Sequence, residues 1–165
     1  MTAQPVEEHA AVLDTWLSPN VFAFMPSVPG PALRVLFFLL GVQEPGGRIV
    51  ITQKEIAEAV GLKRSAVGGA LQHLQFARMV TKVQSNGGVY SLHPQIAAFP
   101  TPAEADDAVR QLSPDEYLDV HDFEERYQRA LAAHQRELRR KTEERQAPAM
   151  PPTDLAAHRR RRTRP

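Results

Sequence analysis

The chain contains no cysteine, which excludes a disulfide frame, a thiolate metal site and a cysteine nucleophile. Its longest apolar run, Val35 to Val42, is far short of the roughly 20 residues that span a bilayer. No basic region precedes an apolar stretch near the N-terminus, so no signal peptide is expected, and a cytoplasmic location is. A Walker-type glycine loop and a Gly-x-Ser-x-Gly elbow are both missing. The six histidines, His9, His73, His93, His121, His134 and His158, lack metal-ligand spacing. His121 and Asp122, beside Asp119 and Glu125, come nearest to a polar cluster and read as a solvated face. No enzymatic activity, metal or cofactor is therefore expected. At 165 residues the chain can hold one ordinary domain with appendages.

A net charge of +1 hides a segregation of charge along the chain. Residues 1–47 carry Arg34 against Glu7, Glu8, Asp14 and Glu44. Residues 48–92 carry Arg48, Lys54, Lys63, Arg64, Arg78 and Lys82 against Glu55 and Glu58. Residues 104–125 are strongly acidic, with Arg110 their one basic residue, and a basic tail follows at Arg159 to Arg162 and Arg164. A polyanion should meet the middle of the chain and be repelled by the acidic stretch.

That basic middle has the pattern of two short helices and a hairpin. Thr52 stands at an N-cap, and Glu55 three residues on completes a capping box. Ile56, Ala57 and Val60 give the first helix an apolar face, Gly61 supplies the turn and Leu62 plugs it. The second helix, about Arg64 to Phe76, carries Val67, Ala70, Leu71 and Leu74 at i, i+3, i+4 and i+7. Two helices arranged this way place the second in a DNA major groove. A strand alternating through Val80 to Gln84, a turn at Ser85-Asn86-Gly87-Gly88 and a return strand with Val89, Tyr90 and Leu92 form a wing. Upstream, Arg48 to Ile51 could add a third strand. Pro31 and Ala32 open an apolar helix running from Leu33 to Val42. The expected fold class is mainly α with a small antiparallel β-wing: a winged helix-turn-helix plus a long C-terminal helix.

These residues resemble winged-helix regulators of the MarR-like class. Three pieces look closer to RepL-type plasmid replication proteins: Gly30 to Leu40, Ile51 to Ala57, and Gly88 to Ala97. The last is similar to that family's wing exit, Tyr-x-Leu-x-Pro into an aliphatic pair. The resemblance covers about residues 21–99. The chain departs from it at Gly68-Gly69, where recognition helices commonly carry DNA-reaching side chains, and at Arg78, where a glycine usually ends the helix.

The chain thus divides into an N-terminal helix and connector over 1–29, the winged helix over 30–99, acidic and long helices over 100–147, and a Pro/Arg-rich tail over 148–165 that reads as disordered. Val6 to Leu17 reads as a helix, and Val21 to Met25 as a strand or extended segment. Thr101 and Ser113 each open a capping-box signal. The first predicts a helix to about Leu112, the second a helix to about Arg145 that would reach ~45 Å. On that second helix Tyr117, Val120, Tyr127, Leu131, His134 and Leu138 make an imperfect seam, with Glu124 at the intervening site. Its length favours a homodimer over folding back on its own domain or meeting a foreign partner.

The residues expected to meet double-stranded DNA are Gln53, Lys54, Lys63, Arg64, Ser65, Gly68, Gly69, Gln72, Lys82, Gln84, Ser85 and Asn86. Arg64 is the candidate for guanine readout, with a phosphate contact or a pair with Glu58 as the alternatives. Gln72 could bond adenine, and His73 reads as a surface residue rather than a reader. Gln53 and Lys54 stand at a helix start suited to a phosphate. Gly68 and Gly69 could allow close approach to DNA, mark a helix that reads few bases, or pack against Phe37 or Phe38. Lys82, at the wing base, and Gln84, Ser85 and Asn86, near its tip, suit positioning. The tail arginines could add phosphate contacts or only solubility.

Three functions fit this reading: a transcriptional regulator of plasmid, phage or bacterial genes; a replication initiator, which the RepL-like resemblance implies; and a protein-interaction adaptor docking through residues 104–125. Basic segregation in 48–92 favours DNA over the adaptor.

Overall fold

The computed structural model describes residues 19–83 and 88–146. Residues up to Leu131 form one compact unit, and those from Ala132 onward a second. The elements run α1 (Pro19–Ala23), α2 (Gly30–Val42), β1 (Arg48–Val50), α3 (Gln53–Val60), α4 (Arg64–Phe76), β2 (Val80–Lys82), β3 (Val89–Leu92), α5 (Pro102–Arg110) and α6 (Phe123–Gln146). This is a mainly helical chain with a three-stranded antiparallel sheet of order β1-β3-β2, the architecture of a winged helix-turn-helix followed by a long helix. Among the described residues no helix is long and apolar enough to cross a membrane.

The core follows the apolar periodicity. Helix α2 buries Ala32, Val35, Leu36 and Leu39, and α4 buries Val67, Ala70, Leu71 and Leu74. Both sets fall at i, i+3, i+4 and i+7, so each helix offers one apolar stripe, and the two pack on each other more extensively than any other pair of elements. Each fully buried leucine or valine contributes about 1.5–3 kcal/mol. Gln43 closes the lower end of α2. Its Nε2 donates to the Leu40 carbonyl at 2.9 Å and its Oε1 accepts from Ala98 N at 2.7 Å, which ties α2 to the buried run Ile96 to Phe99 beyond the sheet.

The turn chemistry is equally specific. Thr52 Oγ1 accepts from Glu55 N, and Glu55 Oε2 accepts from Thr52 N at 2.8 Å. The bonds that the Glu55 carboxyl accepts from Thr52 N and from the Thr52 hydroxyl hold it below its usual range. Gly61 ends α3 at φ 67°, a left-handed conformation that costs glycine least. In the wing, the Gly88 carbonyl accepts from Ile51 N at 2.7 Å, and a Cβ on Gly88 would lie 2.2 Å from the Ile51 carbonyl oxygen. Glycine at 88 is therefore demanded by the passage of the β1 exit.

Two elements differ from expectation. Residues 21–23, expected to be extended, are helical, with Val21 buried. The expected Val6–Leu17 helix lies outside the described residues.

The second difference concerns the long helix, which starts at Phe123 and not at Ser113. Only half of the Ser113 box forms: Glu116 Oε2 accepts from Ser113 N at 2.8 Å and from its hydroxyl at 2.7 Å, while Glu116 N donates to the Ser113 carbonyl at 2.9 Å instead of to its side chain. No helix follows, because side chains from elsewhere take the backbone groups it would need. Arg78 Nη1 donates to the Asp115 carbonyl at 2.6 Å, and Arg126 Nη1 donates to the same oxygen at 3.1 Å and to that of Tyr117 at 3.4 Å. His93 Nε2 meets the Glu116 carbonyl at 2.9 Å, and Gln95 Oε1 accepts from Leu118 N at 2.7 Å.

Arg78 also explains the missing helix-ending glycine. It has φ 55°, with Met79 N bonded to the Leu74 carbonyl and Arg78 N to that of Gln75. That is a Schellman cap. The arginine accepts the cost of a left-handed backbone, and its side chain gains the Asp115 carbonyl.

His93 carries a pH dependence. A carbonyl only accepts, so Nε2 bears the proton, while Nδ1 accepts from Gln95 N at 3.2 Å. Burial lowers the His93 pKa, outweighing the Glu116 carbonyl and carboxylate, which raise it; Arg78 lowers it further. The unfolded chain, with an ordinary value of about 6.5, therefore takes up the proton first as pH falls. The stability linked to His93 is complete above that value and is lost as pH drops toward the folded value. Urea unfolding at neutral and mildly acidic pH should show this loss, and His93→Gln should reduce it.

Candidate nucleic-acid interface

Helix α4 has a buried side and an open one. Opposite its apolar stripe run Ser65, Gly68, Gly69 and Gln72, themselves spaced i, i+3, i+4 and i+7; Ser65 and Gly69 are exposed, and Gly68 and Gln72 half-buried. Lys63 is the N-cap, and no side chain caps the helix, so the N–H groups of its first turn are open to an anion. Lys63 and Arg64 are exposed and form no ion pair among the described residues. The Arg64–Glu58 pair is not formed; Glu58 lies instead 3.7 Å from Lys54. Lys54 and Glu58 are both strongly solvated, so that bridge is weak and leaves Lys54 available.

The packing explanation for Gly68-Gly69 fails. A Cβ on Gly69 would meet nothing within 4 Å, and one on Gly68 would meet Gln53 Oε1 at 3.7 Å. Neither Phe37 nor Phe38 approaches them. The two glycines oppose helix formation by roughly 1 kcal/mol each relative to alanine, and no contact within the described residues offsets this.

Around this face, Gln53 is the first residue of α3 and lies beside Gly68. Lys82 ends β2 and is exposed. Gln84, Ser85 and Asn86 of the wing tip, like the arginines of the tail, lie outside the described residues. Arg34 was missed by the sequence reading, which counted it with the acidic N-terminal part. On α2 it lines an open cleft of about 290 Å³ with Gly30, Pro31 and Leu62. Leu62 directly precedes Lys63, so Arg34 brings a further cation to the same edge. Folding of α2 against the helix-turn-helix creates this neighbour, and sequence spacing carries no sign of it.

His73 is not the simple surface residue expected. It is half-buried, and its Nδ1 lies 2.8 Å from the Tyr127 hydroxyl. Burial, then the nearby Glu124 charge, lifts the Tyr127 pKa above its usual value, so the hydroxyl stays neutral. This contact also corrects the seam. Tyr127 and Phe123 are core residues. Tyr117 and Val120 precede α6, and the Tyr117 hydroxyl donates to the Val109 carbonyl at 3.0 Å. The proposed stripe therefore does not run along one helix. What remains of it on α6 beyond the core is Leu131 and His134, both half-buried, and Leu138, 50 % exposed. The acidic stretch is largely engaged locally: Glu104 with Thr101, Asp106 and Asp107 with Arg110, Glu116 with Ser113, Asp122 with Arg126 and Glu125 with Arg129.

Among the described residues no group of three or more His, Cys, Asp and Glu side chains is placed to hold a metal ion. No curated protein and no solved structure is detectably similar to the chain. The comparison with family models gives no support to the RepL likeness. It matches residues 27–88, from the connector before α2 to the glycine that opens the return strand, and the winged helix-turn-helix domain formed there is similar to the MarR family.

Proposed function

We propose that this chain is a transcriptional regulator that binds double-stranded DNA through α4. The observation that carries the reading is the open N-terminus of α4, where Lys63 and Arg64 stand exposed and without ion pairs among the described residues, at the head of a face cleared of bulk. Regulators of the MarR family are non-enzymatic DNA-binding proteins, which agrees with that chemistry. Phosphates meet Lys54, Lys63, Arg34 and the first-turn N–H groups of α4; Arg64 reaches a base edge; Lys82 approaches from the wing. Affinity selection from a pool of duplexes, followed by titration at several salt concentrations, tests this. Binding should weaken steeply as salt rises, because each phosphate neutralised releases counterions. A flat salt response removes DNA as the ligand.

The same reading includes a two-fold dimer, since a pair of recognition helices about one DNA turn apart matches an inverted-repeat site. Leu131 and Leu138, seven residues apart on α6, are the apolar groups left for it. Light scattering should report a dimer at tens of micromolar, and Leu131→Glu with Leu138→Glu should convert it to a monomer that binds a half-site nearly as well as before. A monomeric wild type overturns the dimer while leaving the DNA reading intact.

A further inference from the structure

Helix α4 has no side chain at two adjacent positions of its open face, yet the space beside the first of them is occupied. The carboxamide of Gln53, from the first turn of α3, lies over Gly68, with Oε1 3.7 Å from where a Cβ would stand. Gln53 is half-buried there. No described residue forms a hydrogen bond with its carboxamide, so both the donor and the acceptor end stay open. A side chain longer than alanine at position 68 would compete for that place. Glycine thus keeps clear a path by which a residue of α3 reaches the open face of α4.

We propose that Gln53 reads a base. Seated over Gly68, its carboxamide offers a donor and an acceptor side by side, the pair that matches adenine N6 and N7 in the major groove. Gly68 and Gly69 let the floor of the groove approach closely enough for a side chain rooted on α3 to reach it. This rests on duplex DNA being the ligand of α4. It differs from a phosphate contact by the same residue, which fixes register and carries no sequence information.

Affinity selection from a randomised duplex pool with the full-length protein, Gln53→Ala and Gln53→Glu tests the proposal. Both variants should fold, because the first helical position accepts alanine and favours an acidic residue; thermal melting checks this. If the wild type enriches no motif, the DNA reading itself fails. Given a wild-type motif, Gln53→Ala should lose the preference at one A·T pair and leave the other positions unchanged, with about tenfold weaker binding to the preferred site. Gln53→Glu should shift that position toward cytosine, whose N4 donates to a carboxylate. An unchanged motif in both variants overturns the proposal. So does a loss of affinity that is equal on all sequences and greater for glutamate than for alanine, which assigns Gln53 to a phosphate.

Discussion

Replacing Lys63 and Arg64 together by alanine should weaken binding to a preferred duplex about 100-fold, roughly 2.7 kcal/mol, without lowering the melting temperature. The stability half of this expectation is structural. Both side chains are exposed and make no ion pair among the described residues, and surface changes of this kind usually stay within about 0.5 kcal/mol. The binding half follows from the place of the two cations at the uncapped start of α4. A bidentate arginine on guanine is worth about 1–3 kcal/mol, and each lost phosphate contact should make the log–log salt dependence shallower by about 0.9. The single variants separate the roles. Arg64→Ala should relax sequence preference, whereas Lys63→Ala should weaken all duplexes alike. Unchanged affinity in the double variant would move the DNA contact away from α4.

Tyr127→Ala should destabilise the fold by about 3–5 kcal/mol, the usual cost of truncating a buried aromatic ring. The ring is 2 % exposed. Tyr127→Phe keeps the packing and gives up the hydrogen bond to His73, so it should lose about 1 kcal/mol. Both effects should be independent of protein concentration, because the contacts lie within one chain. If Tyr127 instead sat in an interface between chains, the loss caused by the alanine variant would change with protein concentration. Chemical unfolding at two concentrations decides this.

The parts of the fold that were legible in the sequence are those governed by local rules. Helices α2 and α4 carry their buried residues at helical spacing, Thr52 and Glu55 are a capping pair, and Gly61 is the residue a left-handed turn favours. The three strands appeared where β-branched and alternating residues predicted them. Errors arose where a distant partner overruled a local signal. Ser113 and Glu116 carry the sequence signal that usually opens a helix, but Arg78 lies 37 residues away from Asp115 in sequence and His93 lies 23 from Glu116. Nothing local announces that these side chains will take the carbonyls. Tyr127 fitted a seam by spacing alone, yet the His73 beside it comes from 54 residues earlier. The same holds at the candidate interface. Lys63 and Arg64 follow from their place at a helix start, whereas Arg34 beside Leu62, and Gln53 over Gly68, exist only once helices have packed.

The carbonyl of Asp115 is shared by two guanidinium groups, one from the cap of α4 and one from the first turns of α6. Movement of the 113–118 turn carries that oxygen away from both guanidinium groups together. Its opening therefore frees Arg78 and Arg126 in the same event, and with them the left-handed residue that closes α4. In hydrogen exchange such a segment behaves as one cooperative unit. The amides of Met79, bonded to Leu74, and of Leu118, bonded to Gln95, should then exchange at a common free energy, although 38 residues of chain separate them. The end of α4 would thus share its local lifetime with a turn far along the chain.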